Sequence, residues 1–572
     1  MSGYRAPVAD MTFALVEIAG HPAGDETLPQ ILDQAGKFAG GVLAPINRSG
    51  DVEGSVLENG VVRAPKGFKE AYAQFVAGGW NGLACDPEFG GQGLPWTVSS
   101  SVFEMWTAAN MAFALCPMLT LGAIQLLAKH GSAEQKAKYL PRMVSGEWTG
   151  TMNLTEPQAG SDLGQLNARA EPRGDHYRIK GQKVFITWGE HDMAENTIHM
   201  VLARTPAAPK GSKGISLFLV PKFTVGADGR LGGRNDLRCV SIEHKLGINA
   251  SPTCVMAYGD SDGAVGWLIG AENRGLEAMF TMMNNERLAV GMQGVAIAER
   301  AYQRARDFAR GRVQGRDLDS GAEGVPIIRH PDVRRMLLTM KSGIDAARAL
   351  TYYTASYLDR AIGADGDERR AAQARLDLLT PVCKAWNTDL GTEIASLGIQ
   401  VHGGMGYIEE TGAAQHYRDA RIAQIYEGTN GIQAMDLAFR KVARDGGKAM
   451  DGLIAEMRPA LSEGERPALD ALAEATKFIV RTAGKDAPLA AAAAQPYLRL
   501  VGTVAGQYLL NRQARAAERR LKQADGGDRK FLEMKRSLAR FYSCNVLPQA
   551  AGLARSVAEG GGEIAGLDEA AI

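Results

Sequence analysis

Residues 166–190 read LNARAEPRGDHYRIKGQKVFITWGE. Short runs of strand-forming residues are interrupted by Arg173-Gly174-Asp175 and by Gly181, as hairpins would be. The runs TIHMVLART (197–205) and GISLFLVPK (214–222) alternate or stay apolar like strands of a sheet, and SIEHKLGINASPTCVMAYGD (241–260) continues the pattern. Around this block the texture is helical. Upstream, SSVFEMWTAANMAFALCPMLTLGAIQLLAKHG (100–131) is apolar at helical spacing up to Gly131, with Pro117 placed to break or kink it. Downstream, in PDVRRMLLTMKSGIDAARALTYYTASYLDRAI (331–362), Val333, Met336, Leu337, Met340, Ile344 and Ala347 share one helical face, and Pro331 suits a first turn. A further long segment, 375–404, ends at Gly403-Gly404. The reading is helix, sheet, helix: an α+β chain, mainly α.

The divisions expected are an N-terminal helical domain (1–150), a middle β-barrel-like domain (151–265) and a C-terminal four-helix bundle (266–445). An additional helical region follows (446–572). In that last region PLAAAAAQPYLRLVGTVAGQYLL (488–510) is helix-prone. Residues 512–540 hold ten Lys or Arg against four acids, a pattern that reads as a solvated helix face. The tail AEGGGEIAGLDEAAI (558–572) reads as poorly ordered.

Lys plus Arg and Asp plus Glu both number 64 in 572 residues, so no global field draws nucleic acid. The six cysteines form no CxxC pair, which suggests neither a zinc site nor a disulfide framework. Reduced thiols and a cytoplasmic home fit best. The start, MSGYRAPVADMTFALVEIAG, lacks a basic leader, and no run of about 20 apolar residues predicts a membrane span.

Several stretches carry chemistry. In MNLTEPQAGSD (152–162), Pro157 and Gly160 force a turn that exposes Thr155, Ser161 and backbone N–H groups. Such a loop suits an uncharged polar ring or a phosphate better than a metal, and equally an ordinary capped turn. In KVFITWGE (183–190), Phe185 and Trp188 offer walls for a flat ligand and Thr187 a hydroxyl; a strand with core aromatics is the plain alternative. Arg287 of ERLAVGMQG suits an ion pair. Arg312 and Gln314 of ARGRVQGRD suit phosphate or adenine, or a basic loop. QVHGGMGYIEE (400–410) frees the backbone at three glycines, and His402 reads as a satisfied helix-end histidine. In QIYEGTNGIQ (424–433), Glu427 stands between an aromatic and a glycine, with Ile422 and Ile425 before it. It is either a desolvated, reactive carboxylate or a solvated loop acid.

These pieces occur in one order, preceded by GLACDPEFGGQGLP (82–95). Over residues 70–440 the set resembles the acyl-CoA dehydrogenase flavoprotein family. TEPxAGSD and RDARIxQIYEGT are its long, specific motifs. The resemblance implies FAD held between a β domain and a helical bundle, and α,β-dehydrogenation of an acyl-CoA to a trans-enoyl-CoA. It makes Glu427 the base. Thr155, Gly160 and Ser161 would contact the flavin with the backbone of Met152 to Leu154, and Phe185 and Thr187 would cover its ring. Arg312, Gln314, Gln400 and Gly404 would reach pyrophosphate and adenine from a second subunit, and Thr429 the adenine side. Ser161, Arg287, Glu427 and Gly428 would line the substrate. No metal is implied.

Three positions depart from the pattern. The family often has Trp where Phe185 stands, Gly431 replaces a Gln that reaches FAD, and RVQG is one residue shorter than R-x-x-F-G. The length and the blocks 4–20, 244–259 and 266–291 resemble a long bacterial branch with a C-terminal helical extension, usually homodimeric. Its substrates include 3-methylmercaptopropionyl-CoA and ordinary fatty acyl-CoAs. Electron-transfer flavoprotein would be the acceptor. The alternatives are an acyl-CoA oxidase, which uses oxygen, and a DNA-associated alkylation-response flavoprotein, which needs a basic surface.

Overall fold

The computed structural model describes residues 3–571. They form two compact units: one of residues 3–36, 96–108 and 287–571, the other of 37–95 and 109–286.

The second unit is built on an eight-stranded sheet. Its order is Leu237–Ile242, Thr253–Tyr258, His176–Thr187, Ala264–Leu268, Ser216–Pro221, Asn196–Ala203 and Trp148–Asn153, with Arg169–Arg173 also against His176–Thr187. Neighbours are antiparallel except Trp148–Asn153, which runs parallel to Asn196–Ala203. One core holds Ile179, Ile186, Val201, Phe218, Cys254 and Met256. The hairpin at Arg173-Gly174-Asp175 forms as read. Gly181 is not a turn: it lies inside the single strand His176–Thr187 at φ +143°. There the strand changes partner, from Ala264–Leu268 to Thr253–Tyr258. A Cβ at Gly181 would stand 3.0 Å from Ala168 Cα, so the bend needs glycine.

The helical stretch 100–131 divides at Asn110, not at Pro117. Asn110 is extended (φ −158°, ψ 91°) and its side chain accepts from Phe113 N–H, an N-cap that starts Met111–His130. Pro117 sits inside that helix. Met111–His130 is also long and apolar enough to cross a membrane, against the expectation of no such run; most of its side chains are buried, as in a core helix. A short hairpin, Val56–Glu58 with Val61–Arg63, interrupts the N-terminal helices. Its Asn59-Gly60 turn has both residues at positive φ, the chemistry of a type I′ turn.

The other unit is helical. Its bundle uses Trp96–Ala109, the later part of Gly275–Gly311, Pro331–Gly363 and Gly366–His402. Two of these helices approach backbone to backbone. A Cβ on Gly294 would lie 2.3 Å from Asn387 O, and one on Gly391 2.6 Å from Gly294 O. That contact sets Arg287, about a third of the way along Gly275–Gly311, near Lys384 on the second.

The additional helices Lys448–Met457, Arg466–Ala483, Ala487–Leu521, Gly526–Asn545 and Gln549–Glu559 belong to the same unit. The basic stretch 512–540 is largely the solvated face it reads as: eight of its ten cations are exposed and Arg512 is half-buried. Lys535, 3% exposed, donates to Asp10 and Asp345, both at 2.6 Å. Arg519 and Arg520 pair with Glu17, Arg512 donates to Ile18 O at 3.3 Å, and Arg536 pairs with Glu518. Of the ten, Lys535 alone is buried, and it joins the N-terminal segment to the bundle. The tail departs from its reading, since Gly561–Gly566 is helical and Gly561 is buried.

Candidate active site

Glu427 is one of six non-glycine residues at positive φ among the described residues, at +56°, and Gly428 follows at +82°. A left-handed backbone costs a glutamate on the order of 1 kcal/mol, and surrounding contacts must hold it there. Arg287 Nε donates to Glu427 O at 3.4 Å and Gln433 Nε2 at 3.3 Å; Gln433 also reaches Gly428 O at 3.3 Å. Thr429 caps the helix Asn430–Met435 by accepting from Ile432 N–H. Asn430 Nδ2 donates to Asp389 Oδ1 at 2.6 Å and to Ala385 O at 3.1 Å, tying the loop to Gly366–His402. Tyr426 OH donates to Gln293 on the first helix.

The carboxyl group itself is left alone. Among the described residues nothing hydrogen-bonds to its oxygens, and the Glu427 N–H likewise has no acceptor. The side chain is half-buried. Burial pushes the carboxyl up to about 7, against the downward pull of Arg287 and then Lys384. Arg287 is held lower than a free guanidinium by burial, while Asp436, 3.8 Å away, and Glu427 pull it back up. Lys384, fully buried, is lowered to about 7 by burial against Glu427 and Asp389.

A second group of expected residues gathers in the other unit. Val184 N–H donates to Thr155 O at 2.9 Å, fastening the turn 155–161 to the strand that carries Phe185 and Thr187. Thr151 Oγ1 donates to Thr187 O at 2.7 Å. Phe185 holds positive φ (+60°) and is 62% exposed, while Trp188, also at positive φ, is buried with its Nε1 on Ala112 O. An aromatic ring kept in solvent by a strained backbone is built to meet something flat. Gly160 and Ser161 are exposed, Met152 and Leu154 lie at the end of Trp148–Asn153, and the hydroxyls of Thr155 and Ser161 have no partner among the described residues.

The remaining expected residues lie apart from Glu427. Arg312 and Gln314 are exposed and bond to each other at 2.7 Å. Gln400 and Gly404 are exposed at the end of Gly366–His402, where His402 Nδ1 meets Gly398 O at 2.6 Å, a satisfied helix-end histidine as read.

Sequence reading missed the supports. Glu156 is buried beneath the turn and accepts from Lys183 at 2.8 Å, Asn167 N–H at 2.6 Å and Ala168 N–H at 3.0 Å. Gln433, Asn430 and Lys384 were also passed over. Lys384 had a signal: one cation inside the apolar run LLTPVCKAW.

Comparison with known proteins gives the family and the fold. Residues 25–147, 151–260 and 273–441 match the N-terminal, middle and C-terminal domain models of acyl-CoA dehydrogenase, and 447–568 match the model "Acetyl-CoA dehydrogenase C-terminal like". Two solved structures share the fold. Caenorhabditis elegans ACDH-11 in complex with C11-CoA has a TM-score of 0.79 at 19% identity, covering 98% of this chain and 96% of its own. An acyl-CoA dehydrogenase complexed with FAD from Bacillus anthracis has a TM-score of 0.76 at 21% identity, covering 96% and 92%. The 3-methylmercaptopropionyl-CoA dehydrogenase of Ruegeria pomeroyi is 48% identical over 95% of this chain and 96% of its own length. The chain belongs to the acyl-CoA dehydrogenase family.

Proposed function

We propose that the protein converts an acyl-CoA thioester to its trans-2-enoyl-CoA, with Glu427 as the base and FAD as cofactor. The observation that carries this is the state of Glu427: fixed by its own carbonyl, unbonded at its carboxyl and raised to about 7. An α-proton beside a thioester is weakly acidic, so a solvated carboxylate is mismatched to it. Desolvation brings the base toward the working pH. In the step, the Cα–H bond breaks, the proton passes to a Glu427 oxygen, and the electron pair stays on the substrate. The unpartnered Glu427 N–H is available to donate to the thioester oxygen as charge develops there, worth about 3–4 kcal/mol. Arg287 and Gln433, by gripping the carbonyl, hold both groups in place.

The residues of the β unit fit FAD. An exposed ring at Phe185 suits a flat heterocycle, and the free hydroxyls of Thr155 and Ser161 suit its uncharged polar edge. We read Met152, Leu154, Gly160 and Thr187 as contributing alongside them. Arg312, Gln314, Gln400, Gly404 and Thr429 would serve the pyrophosphate and adenine, the first four from a second subunit of a homodimer. When bound, FAD supplies the acceptor for the β-hydrogen and its two electrons, which no side chain here offers.

The relative from Ruegeria favours 3-methylmercaptopropionyl-CoA as substrate; a medium- or long-chain fatty acyl-CoA is the broader reading. Electron-transfer flavoprotein is the proposed acceptor and the cytoplasm the proposed location. Anaerobic titration of the flavoprotein with an acyl-CoA series that includes the methylthio chain tests all of this. Bleaching of the flavin by at least one thioester is expected; a flavin that no acyl-CoA bleaches would refute the assignment.

A further inference from the structure

We propose that Lys384 is a positioning residue for the proton step, an offset cation that keeps Glu427 ionised without binding it. The inference rests on Glu427 being the base.

Lys384 lies in the middle of Gly366–His402 with Leu379, Val382, Cys383 and Ala385 buried about it, and is itself fully buried. Burying an ammonium carries a large desolvation cost, so such a lysine needs a charge to answer. Among the described residues no carboxylate ion-pairs with it. Its Nζ instead donates to a neutral group, Asn430 Oδ1, at 2.9 Å. Asn430 is three residues from Glu427 and is locked by Asp389, Ala385 and Thr388. The ammonium is therefore fixed beside the loop while acting through space on Glu427 and Asp389.

The arrangement solves a specific problem. A direct salt bridge would ionise the base but occupy the lone pairs that must take the proton. A cation held off by an amide lowers the cost of the carboxylate and leaves both oxygens free. The other charges facing the group are Arg287, already engaged with Asp436 and the Glu427 carbonyl, and Arg440, which sits on Asp436. Asp389 is held by Gln424 and Asn430. Lys384 is the cation of this set whose ammonium meets no acid directly. Each charge lowers the cost of the other, so the two titrations are linked, and the working form is the carboxylate beside the ammonium.

The test is the pH dependence of kcat/KM for the FAD-loaded enzyme with Lys384→Gln, Lys384→Met and Lys384→Arg, beside Glu427→Gln. Without the cation the base holds its proton more tightly. Either uncharged variant should move the acid limb up by about one pH unit, which is about tenfold in rate below the limb, and approach wild type above it. Lys384→Arg should leave the limb where it is. Infrared difference spectra of the protonated-carboxyl stretch, taken without substrate, should show the same upward move. A limb that stays put, or a loss equal at every pH, would overturn the proposal, as would an unmoved infrared titration if an uncharged variant folds but turns over too slowly. If those results came with an inactive Glu427→Gln, Lys384 alone would fall; a Glu427→Gln enzyme with the wild-type profile would remove the base assignment itself.

Discussion

Gln433 Nε2 lies 3.3 Å from the carbonyl oxygen of Glu427, six residues earlier in the chain. That bond, with the one from Arg287, holds a glutamate in a backbone region glutamates avoid. Replacing Gln433 by Leu keeps the bulk and removes the donor. Catalysis depends on placement to within about an ångström, so kcat should fall about 10- to 100-fold. Flavin content should be unchanged, because Gln433 is buried and donates to the Glu427 and Gly428 carbonyls, neither of them a residue assigned to the flavin. Steady-state rates with flavin-to-protein ratios check this.

Glu427 also bears on stability. Its folded carboxyl is raised to about 7 from an ordinary 4.5, so between those values the folded chain binds more protons than the unfolded one. Stability from this group is complete below about 4.5 and is lost as pH rises through about 7. Glu427→Gln, which never ionises, should therefore be more stable than wild type at pH 8 by about 1–3 kcal/mol, with the difference closing near pH 4.5. Thermal melts at the two pH values decide it.

Lys183 and Glu156 form a buried pair under the turn that presents Thr155 and Ser161. Burial lowers Lys183 to about 8 against the pull of Glu156. Glu156 is held below its usual value despite its burial, chiefly by Lys183. Lys183→Met would leave a desolvated carboxylate. Removing one partner of such a pair costs about 3–5 kcal/mol. The melt of the β unit should shift down, and the protein should retain less flavin.

Gly502 lies in a helix rich in alanine, where Gly→Ala ordinarily stabilises by about 0.5–1 kcal/mol. Here the added Cβ would stand 2.3 Å from the Trp386 ring. Overpacking costs about 1–3 kcal/mol and should win. Gly502→Ala should melt below wild type, whereas Gly452→Ala, where nothing stands within 4 Å, should not.

What was legible in the chain follows from how local each signal is. Strand alternation and Gly174 identified the sheet because side-chain period and turn chemistry are written in adjacent residues. Gly181 was misread because a strand that changes partners looks, locally, like one that ends. Asn110 was passed over for Pro117 because a cap depends on the backbone it meets, and a proline can be carried inside a helix packed on all sides. Glu427 stood out through its motif. Arg287 was named with it, but Lys384 and Gln433 were not, because these groups converge from separate helices, and convergence is a property of the packed bundle. Within the basic stretch 512–540, read correctly as mostly solvated, the burial of Lys535 was hidden for the same reason: its partners Asp10 and Asp345 are far away in sequence.

The central claim is that Glu427 takes the α-proton. Rapid anaerobic mixing of the FAD-loaded Glu427→Gln protein with the thioester that bleaches wild type fastest tests it most directly. The account predicts wild-type flavin content and thioester binding, with the bleaching rate lower by at least about 10²-fold, the scale of a lost general base. Bleaching at close to the wild-type rate would contradict it.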